Sequence, residues 1–384
     1  MDFQLTEEKL AFQNAFAEFA RNELAPFSKT WDSEGRLPVE TLRKAATLGL
    51  GGMYAKEDIG GSSLSRLDGV LIIEQLASGC IPTTAYLTIH NMVTSVIDKY
   101  ATPEIRARFG PRLVSMESLA SYCLTEPDAG SDAASLKTTA TKIGNQYALK
   151  GAKAFISGAT VSDVYLVMAR TGDNTHKGIS CFLVESSTPG LRFGIPEKKL
   201  GWKCQPTAMV YFDECKIPAS HLIGVEGQGF KIALNALNGG RLNIGACSIG
   251  GALTCLQLTK QYMKERKQFG LSLEEMQGLR FYFADMLTEF ESARWLLYRA
   301  ADAFDKSEAD APMLCAMAKR KASDVAFAIC DKAMQIHGGY GYLEDYRLEQ
   351  IFRDLRVHQI LEGTNEIMRE IIARHGLNES YEIQ

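Results

Sequence analysis

One carboxylate stands out for its setting. In Val357-His358-Gln359-Ile360-Leu361-Glu362-Gly363-Thr364-Asn365-Glu366-Ile367 an apolar run delivers Glu362, the chain turns on Gly363, and Thr364 begins a helix as its N-cap. Ile367, Met368, Ile371 and Ile372 recur at helical spacing behind it, which gives that helix a buried face. A carboxyl held against such packing is desolvated, its pKa rises, and it becomes suited to general-base work. An acid at a helix start is also favoured by the helix dipole alone. The surrounding motifs decide between the two readings.

Four further stretches carry groups that can hold a ligand. Tyr122-Cys123-Leu124-Thr125-Glu126-Pro127-Asp128-Ala129-Gly130-Ser131-Asp132 gathers hydroxyls, glycine and backbone amides into an extended turn, able to donate several hydrogen bonds to a flat heteroaromatic ring. Lys153-Ala154-Phe155-Ile156-Ser157-Gly158 sets an aromatic beside a hydroxyl at a strand end, one to stack on a ring and one to bond its edge. A core Phe beside a solvated Ser would read the same way. Arg266-Lys267-Gln268-Phe269-Gly270 ends a long helix, where cations can hold phosphates or simply answer the dipole. Gln335-Ile336-His337-Gly338-Gly339-Tyr340-Gly341-Tyr342 breaks a helical run with glycines, which admit close approach of a ligand or form a plain loop.

The elements that must position these residues fall into three segments. Residues 1–120 read as helices: Thr6 caps a segment with Phe12, Phe16 and Phe19 on one face, stopped by Pro26. Val39 to Leu48, Leu67 to Ala77 and Tyr86 to Tyr100 follow, and Thr102-Pro103 starts another helix. Residues 121–230 read as a small antiparallel β unit, with strands at Thr138 to Lys150 (turning at Gly144-Asn145), Asp163 to Arg170, Ile179 to Glu185 and Ala208 to Asp213. Residues 231–384 return to helices at 242–265, 274–306 and 312–337, with a stripe of Leu279, Phe283, Met286, Leu287, Phe290 and Ala293. That order predicts an α+β chain of separate units rather than an alternating α/β sheet. No GxGxxG follows a strand, so a Rossmann nucleotide site has no support.

Composition excludes several classes. With 384 residues, 46% hydrophobic and 23% charged, the chain has the make-up of a soluble globular protein of two or three packed units. A net charge of −4 without a basic tract gives nucleic acid or an anionic membrane no footing. Nine scattered cysteines without CxxC or Cys/His ligand spacing argue for a reducing compartment and against a structural metal. No uncharged apolar run approaches the roughly 20 residues of a membrane span. No signal segment precedes Thr6, so a cytoplasm is expected, or a mitochondrial matrix if a leader has been removed.

Taken together and in this order, the Thr125-Glu126-Pro127-Asp128-Ala129-Gly130-Ser131-Asp132, His337-Gly338-Gly339-Tyr340-Gly341-Tyr342 and Glu362-Gly363-Thr364-Asn365-Glu366 elements resemble the acyl-CoA dehydrogenase family, over essentially the whole chain. The resemblance implies a helical N-terminal domain, a middle antiparallel β domain and a C-terminal four-helix bundle. It further implies FAD, an acyl-CoA substrate, and electron-transferring flavoprotein as the electron acceptor. By the same resemblance Tyr122, Cys123, Leu124, Thr125, Gly130, Ser131, Phe155, Ile156 and Ser157 would hold the isoalloxazine, Ser157 at its N5. Arg266, Gln268, Phe269, Gln277 and Gln335, Ile336, His337, Gly338, Gly339 would meet the ADP part from a neighbouring subunit of a homotetramer, a dimer of dimers. Thr364, Asn365 and Glu366 would touch the cofactor again. Ser131, Tyr86, Asn238, Gly239, Gly240, Arg241, Gly363 and Arg374 would contact the acyl-CoA, with Tyr86 closing the far end of the acyl pocket. Many relatives carry Trp where this chain has Phe155.

The implied reaction is α,β-dehydrogenation to the 2-enoyl-CoA. Glu362 would take the α-proton while its own N–H and a ribityl hydroxyl stabilise the enolate oxygen, and a hydride would leave the β-carbon for the flavin. Some relatives place the base at the position of Gly240, which has no carboxylate here. Within the family the resemblance is to members acting on short branched acyl-CoAs: isobutyryl-CoA giving methacrylyl-CoA, as in valine catabolism, with butyryl- and 2-methylbutyryl-type enzymes as alternatives. Two other readings are a non-catalytic flavin-binding scaffold, which retention of Glu362 opposes, and an oxidase passing electrons to oxygen.

Overall fold

The structure, a computed structural model, describes residues 5–378 and Tyr381. Six helices come first: α1 (Glu7–Phe19), α2 (Ser28–Glu34), α3 (Val39–Thr47), α4 (Arg66–Gly79), α5 (Ile81–Tyr100) and α6 (Pro103–Val114). Their starts are set locally. The Thr6 and Thr102 hydroxyls accept from Lys9 N and Ile105 N, and Ser65 with Asp68 closes a capping box on α4.

Eight strands follow: β1 (Ala120–Cys123), β2 (Thr139–Ile143), β3 (Gln146–Ser157), β4 (Val164–Arg170), β5 (Ile179–Glu185), β6 (Leu191–Phe193), β7 (Thr207–Pro218) and β8 (Leu222–Ile223). They form one sheet in the order β6-β7-β3-β2-β4-β5-β8, with β1 alongside β4. The sheet is mixed. Most neighbours are antiparallel, as the Gly144-Asn145 hairpin between β2 and β3 requires, but β1 and β2 each run parallel to β4. Local turns report hairpins, whereas β1 reaches β4 from a helix and leaves through a long loop, a pairing no turn signal announces.

The remaining chain is α7 (Gly229–Glu265), the two-residue strands β9 (Lys267–Gln268) and β10 (Leu271–Ser272), then α8 (Gln277–Asp305), α9 (Ala311–His337), α10 (Arg347–Arg356) and α11 (Asn365–Gly376). α7, α8, α9 and α11 pack side by side, and α4 lies along α7 as a close neighbour. Helices from both ends of the chain therefore share one core, in which Val70, Leu71 and Ile73 meet Leu242, Ile249 and Leu297. The first and third segments are separate in sequence but not in packing. α7 is long and apolar enough to cross a bilayer, yet 83% of its most apolar window is buried by these neighbours, so it is a core helix. On α8 the expected stripe is narrower: Met286, Phe290 and Ala293 are buried, while Leu287 is exposed. All nine cysteines are free and buried.

Candidate active site

Glu362 sits where two consecutive residues adopt left-handed backbone, φ 56° at Glu362 and 89° at Gly363. The first is uncommon for a side chain with a Cβ and the second is where glycine belongs. Thr364 then caps α11 by accepting from Ile367 N at 3.2 Å. This reversal turns the Glu362 side chain back toward α7, and its Oε2 is buried without a hydrogen-bond partner. Gly240 on α7 provides the room: a Cβ there would lie 2.5 Å from Oε2.

Two cations flank the carboxyl. The Arg241 guanidinium is buried and donates to Glu362 O at 3.4 Å and to Asn238 Oδ1 at 2.7 Å. Lys319 on α9 is fully buried and donates to Gly363 O at 2.8 Å and Asn365 Oδ1 at 2.9 Å. Burial pushes the Glu362 carboxyl up to about 7, and the charges of Arg241 and Lys319 pull it back only in part. Burial likewise brings the Lys319 ammonium down to about 8, against the favourable charge of Glu362. The site thus holds a carboxyl whose burial opposes its charge, with one oxygen unsatisfied.

The β unit meets this space through Tyr122. Its hydroxyl is buried without a partner, and burial first, then the nearby Cys181 and Glu362, hold it well above the usual phenol range. Beyond Tyr122 the loop is pinned from behind. Glu126 accepts from Lys137 N at 2.6 Å, Thr138 N at 3.0 Å and the fully buried Lys153 Nζ at 2.7 Å, and Lys153 also donates to Leu124 O. Ala154 N donates to Thr125 O at 2.9 Å, and the register between β3 and β7 shifts between Lys153 and Ile156. That bulge, with φ 57° at Phe155, throws the ring outward to 69% exposure. An exposed aromatic on a strained bulge offers a face on which a planar ring could stack, and the orphaned Tyr122 hydroxyl offers an unmet hydrogen bond.

Other expected residues divide. Leu124 is buried and Thr125 half-buried, while Ser131 and Gly130 are exposed on the same loop. The side chains of Cys123 and Ile156 point into the sheet core, leaving only their backbone for a ligand. Arg266, Gln268, Ile336, His337, Gly338 and Gly339 line a cleft of about 500 Å³ at the far end of α7, with Gln277, Phe269 and Gln335 exposed nearby in sequence. His337 is engaged within its own chain, stacked on Tyr262 at 4.1 Å and bonded through Nδ1 to Ala333 O. Thr364 and Glu366 flank the buried Asn365 at the head of α11, and Arg374 is exposed and paired with Glu370.

Tyr86 is fully buried. Its ring packs against Gly158 and its hydroxyl shares a 2.8 Å hydrogen bond with Ser162, in the seam between α5 and the sheet. Sequence reading missed Lys319, Ser323 and Asp324 on α9. Their signal was a lysine amid Cys315, Ala316, Ala318 and Ala322, a face otherwise small and apolar.

Family models cover nearly the whole chain: "Acyl-CoA dehydrogenase, N-terminal domain" over residues 6–117, "middle domain" over 121–215 and "C-terminal domain" over 227–377. The chain is 53% identical over 371 residues to the mitochondrial isobutyryl-CoA dehydrogenase of Dictyostelium discoideum, covering 96% of this chain and 89% of that one. It is 52% identical over 375 residues to the mitochondrial isobutyryl-CoA dehydrogenase of Bos taurus, covering 98% and 90%. Among solved structures, a chain from work on the electron transferring flavoprotein of Acidaminococcus fermentans superposes with a TM-score of 0.96 at 37% identity, covering 99% of this chain and 100% of that one.

Proposed function

The chain belongs to the acyl-CoA dehydrogenase family, and from that premise we propose that it oxidises isobutyryl-CoA to methacrylyl-CoA with Glu362 as the base. It is an oxidoreductase with FAD as its cofactor, and it acts on short branched acyl-CoA. The branched substrate is supported by identity above 50% to two isobutyryl-CoA dehydrogenases. The observation that carries the base assignment is the unpartnered, buried Oε2 of Glu362, poised near neutrality in front of Gly240.

An acyl α-proton is weakly acidic, so its removal needs a base of matched pKa and a stabilised enolate oxygen. Glu362 accepts that proton at its free oxygen. Its backbone N–H donates to the thioester carbonyl, and Arg241 and Lys319 keep part of the carboxyl population ionised. Leu124, Thr125 and Ser157 would hold the ring edge of FAD, Phe155 would cover its face, and Tyr122 would orient it from the sheet side. Bound there, FAD supplies the acceptor for the β-hydride. Electron-transferring flavoprotein would be the electron acceptor, a partner supported by the family and by the Acidaminococcus structure. The two isobutyryl-CoA dehydrogenases are mitochondrial, and a reducing compartment of that kind suits the nine free thiols.

Anaerobic titration of the yellow protein with isobutyryl-, 2-methylbutyryl-, butyryl- and octanoyl-CoA, followed by flavin bleaching, tests the substrate. Isobutyryl-CoA should bleach it at the highest kcat/KM. Butyryl-CoA should remain within roughly 10–200-fold, since the two acyl groups are isomers that differ only in the placement of one carbon, and an apolar pocket discriminates a difference of that size no further. A preference for octanoyl-CoA would reject the branched-chain assignment.

A further inference from the structure

The Glu362 turn is held from one side by a short stretch of α9. Lys319 donates to Gly363 O and Asn365 Oδ1. Asn365 Nδ2 in turn donates to Ser323 Oγ at 3.0 Å and to Asp324 Oδ1 at 2.7 Å, and Gln359 Nε2 reaches the same Asp324 oxygen at 2.9 Å. Residues on both sides of Glu362 are therefore fastened to one face of one helix, across a turn whose backbone is strained at Glu362. Lys319 is the member of this set that is both cationic and fully buried, and both of its acceptors are neutral. An ammonium so placed is costly to bury unless it serves a nearby negative charge.

We propose that Lys319 is a positioning residue for Glu362, fixing the turn through its two hydrogen bonds and holding the carboxylate form in place by its charge. This rests on the reading of Glu362 as the base. The groups facing Glu362 are Arg241 from α7, Lys319 from α9 and Tyr122 from β1; around Lys319 stand Arg241, Asp324 and Glu366. Arg241 lies on the α7 side and binds the Glu362 carbonyl, so it cannot fasten the far side of the turn. Loss of Lys319 leaves burial opposed by a single cation, and Glu362 then holds its proton to higher pH.

The experiment compares wild type, Lys319→Met, Lys319→Gln and Lys319→Arg, each loaded with FAD and checked for flavin content. Flavin reduction by isobutyryl-CoA without an electron acceptor is followed between pH 5.5 and 9.5. In Met and Gln the rising limb moves to higher pH, with about a tenfold loss on the acid side for each pH unit moved, and the rate recovers at alkaline pH. Arg restores the wild-type inflection. Gln keeps a donor for Gly363 O, so it carries the test if Met does not fold. A second readout uses no acyl-CoA: the protonated-carboxyl infrared band that Glu362→Gln removes should persist to higher pH in Lys319→Gln. An unchanged inflection and an unchanged band overturn the proposal, even with a uniformly lower rate. Should Glu362→Gln still reduce its flavin at the normal rate, the base assignment fails, while the infrared result still decides what Lys319 does to Glu362.

Discussion

At the scale of single residues, the chemistry rests on a carboxyl whose environment opposes its charge. Glu362→Gln keeps the shape and removes the proton acceptor. Flavin reduction should fall by at least ~10²–10⁴-fold on the alkaline side of the wild-type inflection with FAD content unchanged, checked by stopped-flow absorbance. The same substitution carries a stability signature. The folded pKa of Glu362, about 7, lies above its ordinary value of 4.5. The folded state therefore binds the extra proton between those values, and wild-type stability declines as pH rises through them. The neutral Gln escapes that decline, so its melting temperature relative to wild type should be higher at pH 8.5 than at pH 5. Gly240 offers a separate check. Alanine favours a helix interior by up to about 1 kcal/mol over glycine, and the Cβ it adds meets only the mobile end of the Glu362 side chain. Gly240→Ala should keep or raise the melting temperature while flavin reduction drops, because the displaced carboxyl no longer faces the α-carbon. Equal activity would mean the carboxyl works from elsewhere.

At the scale of elements, the sheet contributes less a pocket than a braced loop. The Lys153–Glu126 pair is buried on both sides and joins β3 to the turn carrying Leu124 and Thr125. Removing one partner of a buried pair leaves an uncompensated charge, at a cost of roughly 3–5 kcal/mol. Lys153→Met should therefore lower the urea midpoint strongly and loosen FAD, and adding Glu126→Gln should recover part of the loss by deleting the stranded carboxylate. Hydrogen bonds and the Lys153 charge offset the burial of Glu126 and hold its pKa below the usual carboxylate value. This contribution is present above that value and disappears as pH falls through the lowered one. A double variant no more stable than the single would show that the pair is not coupled.

At the scale of the whole molecule, α7 separates two candidate ligand sites. Gly240 faces Glu362 in the first half of the helix, and Arg266 caps its C-terminal end. At about 1.5 Å per residue they stand roughly 39 Å apart. We propose that the cleft around Arg266 and His337 meets a cofactor other than the one beside Glu362, held by a neighbouring copy in the homotetramer we infer from the family. Arg266→Ala should lose FAD and dissociate together, read by sedimentation with detection at the flavin band. A monomer keeping full FAD at low concentration would remove this arrangement.

What the sequence determined by itself was local and chemical. The hydroxyl caps at Thr6, Thr102 and Thr364, the Gly144-Asn145 hairpin, and the placement of Glu362 before a glycine turn are all encoded within a few residues, because backbone dihedrals and capping bonds are short-range. The family motifs rest on the same local order. What the sequence left open depends on which faces meet. Lys319 lies 44 residues from the carbonyl it holds, and Arg241 lies 121 from the one it approaches. Periodicity says that a residue faces inward, never what it faces, so the packing of Tyr86 on Gly158 and its bond to Ser162 had no signal in the sequence. The mixed sheet and the core shared by the first and third segments were hidden for the same reason. Only the tertiary structure fixes how far Glu362 is desolvated and which charges answer it, because desolvation and charge act through space.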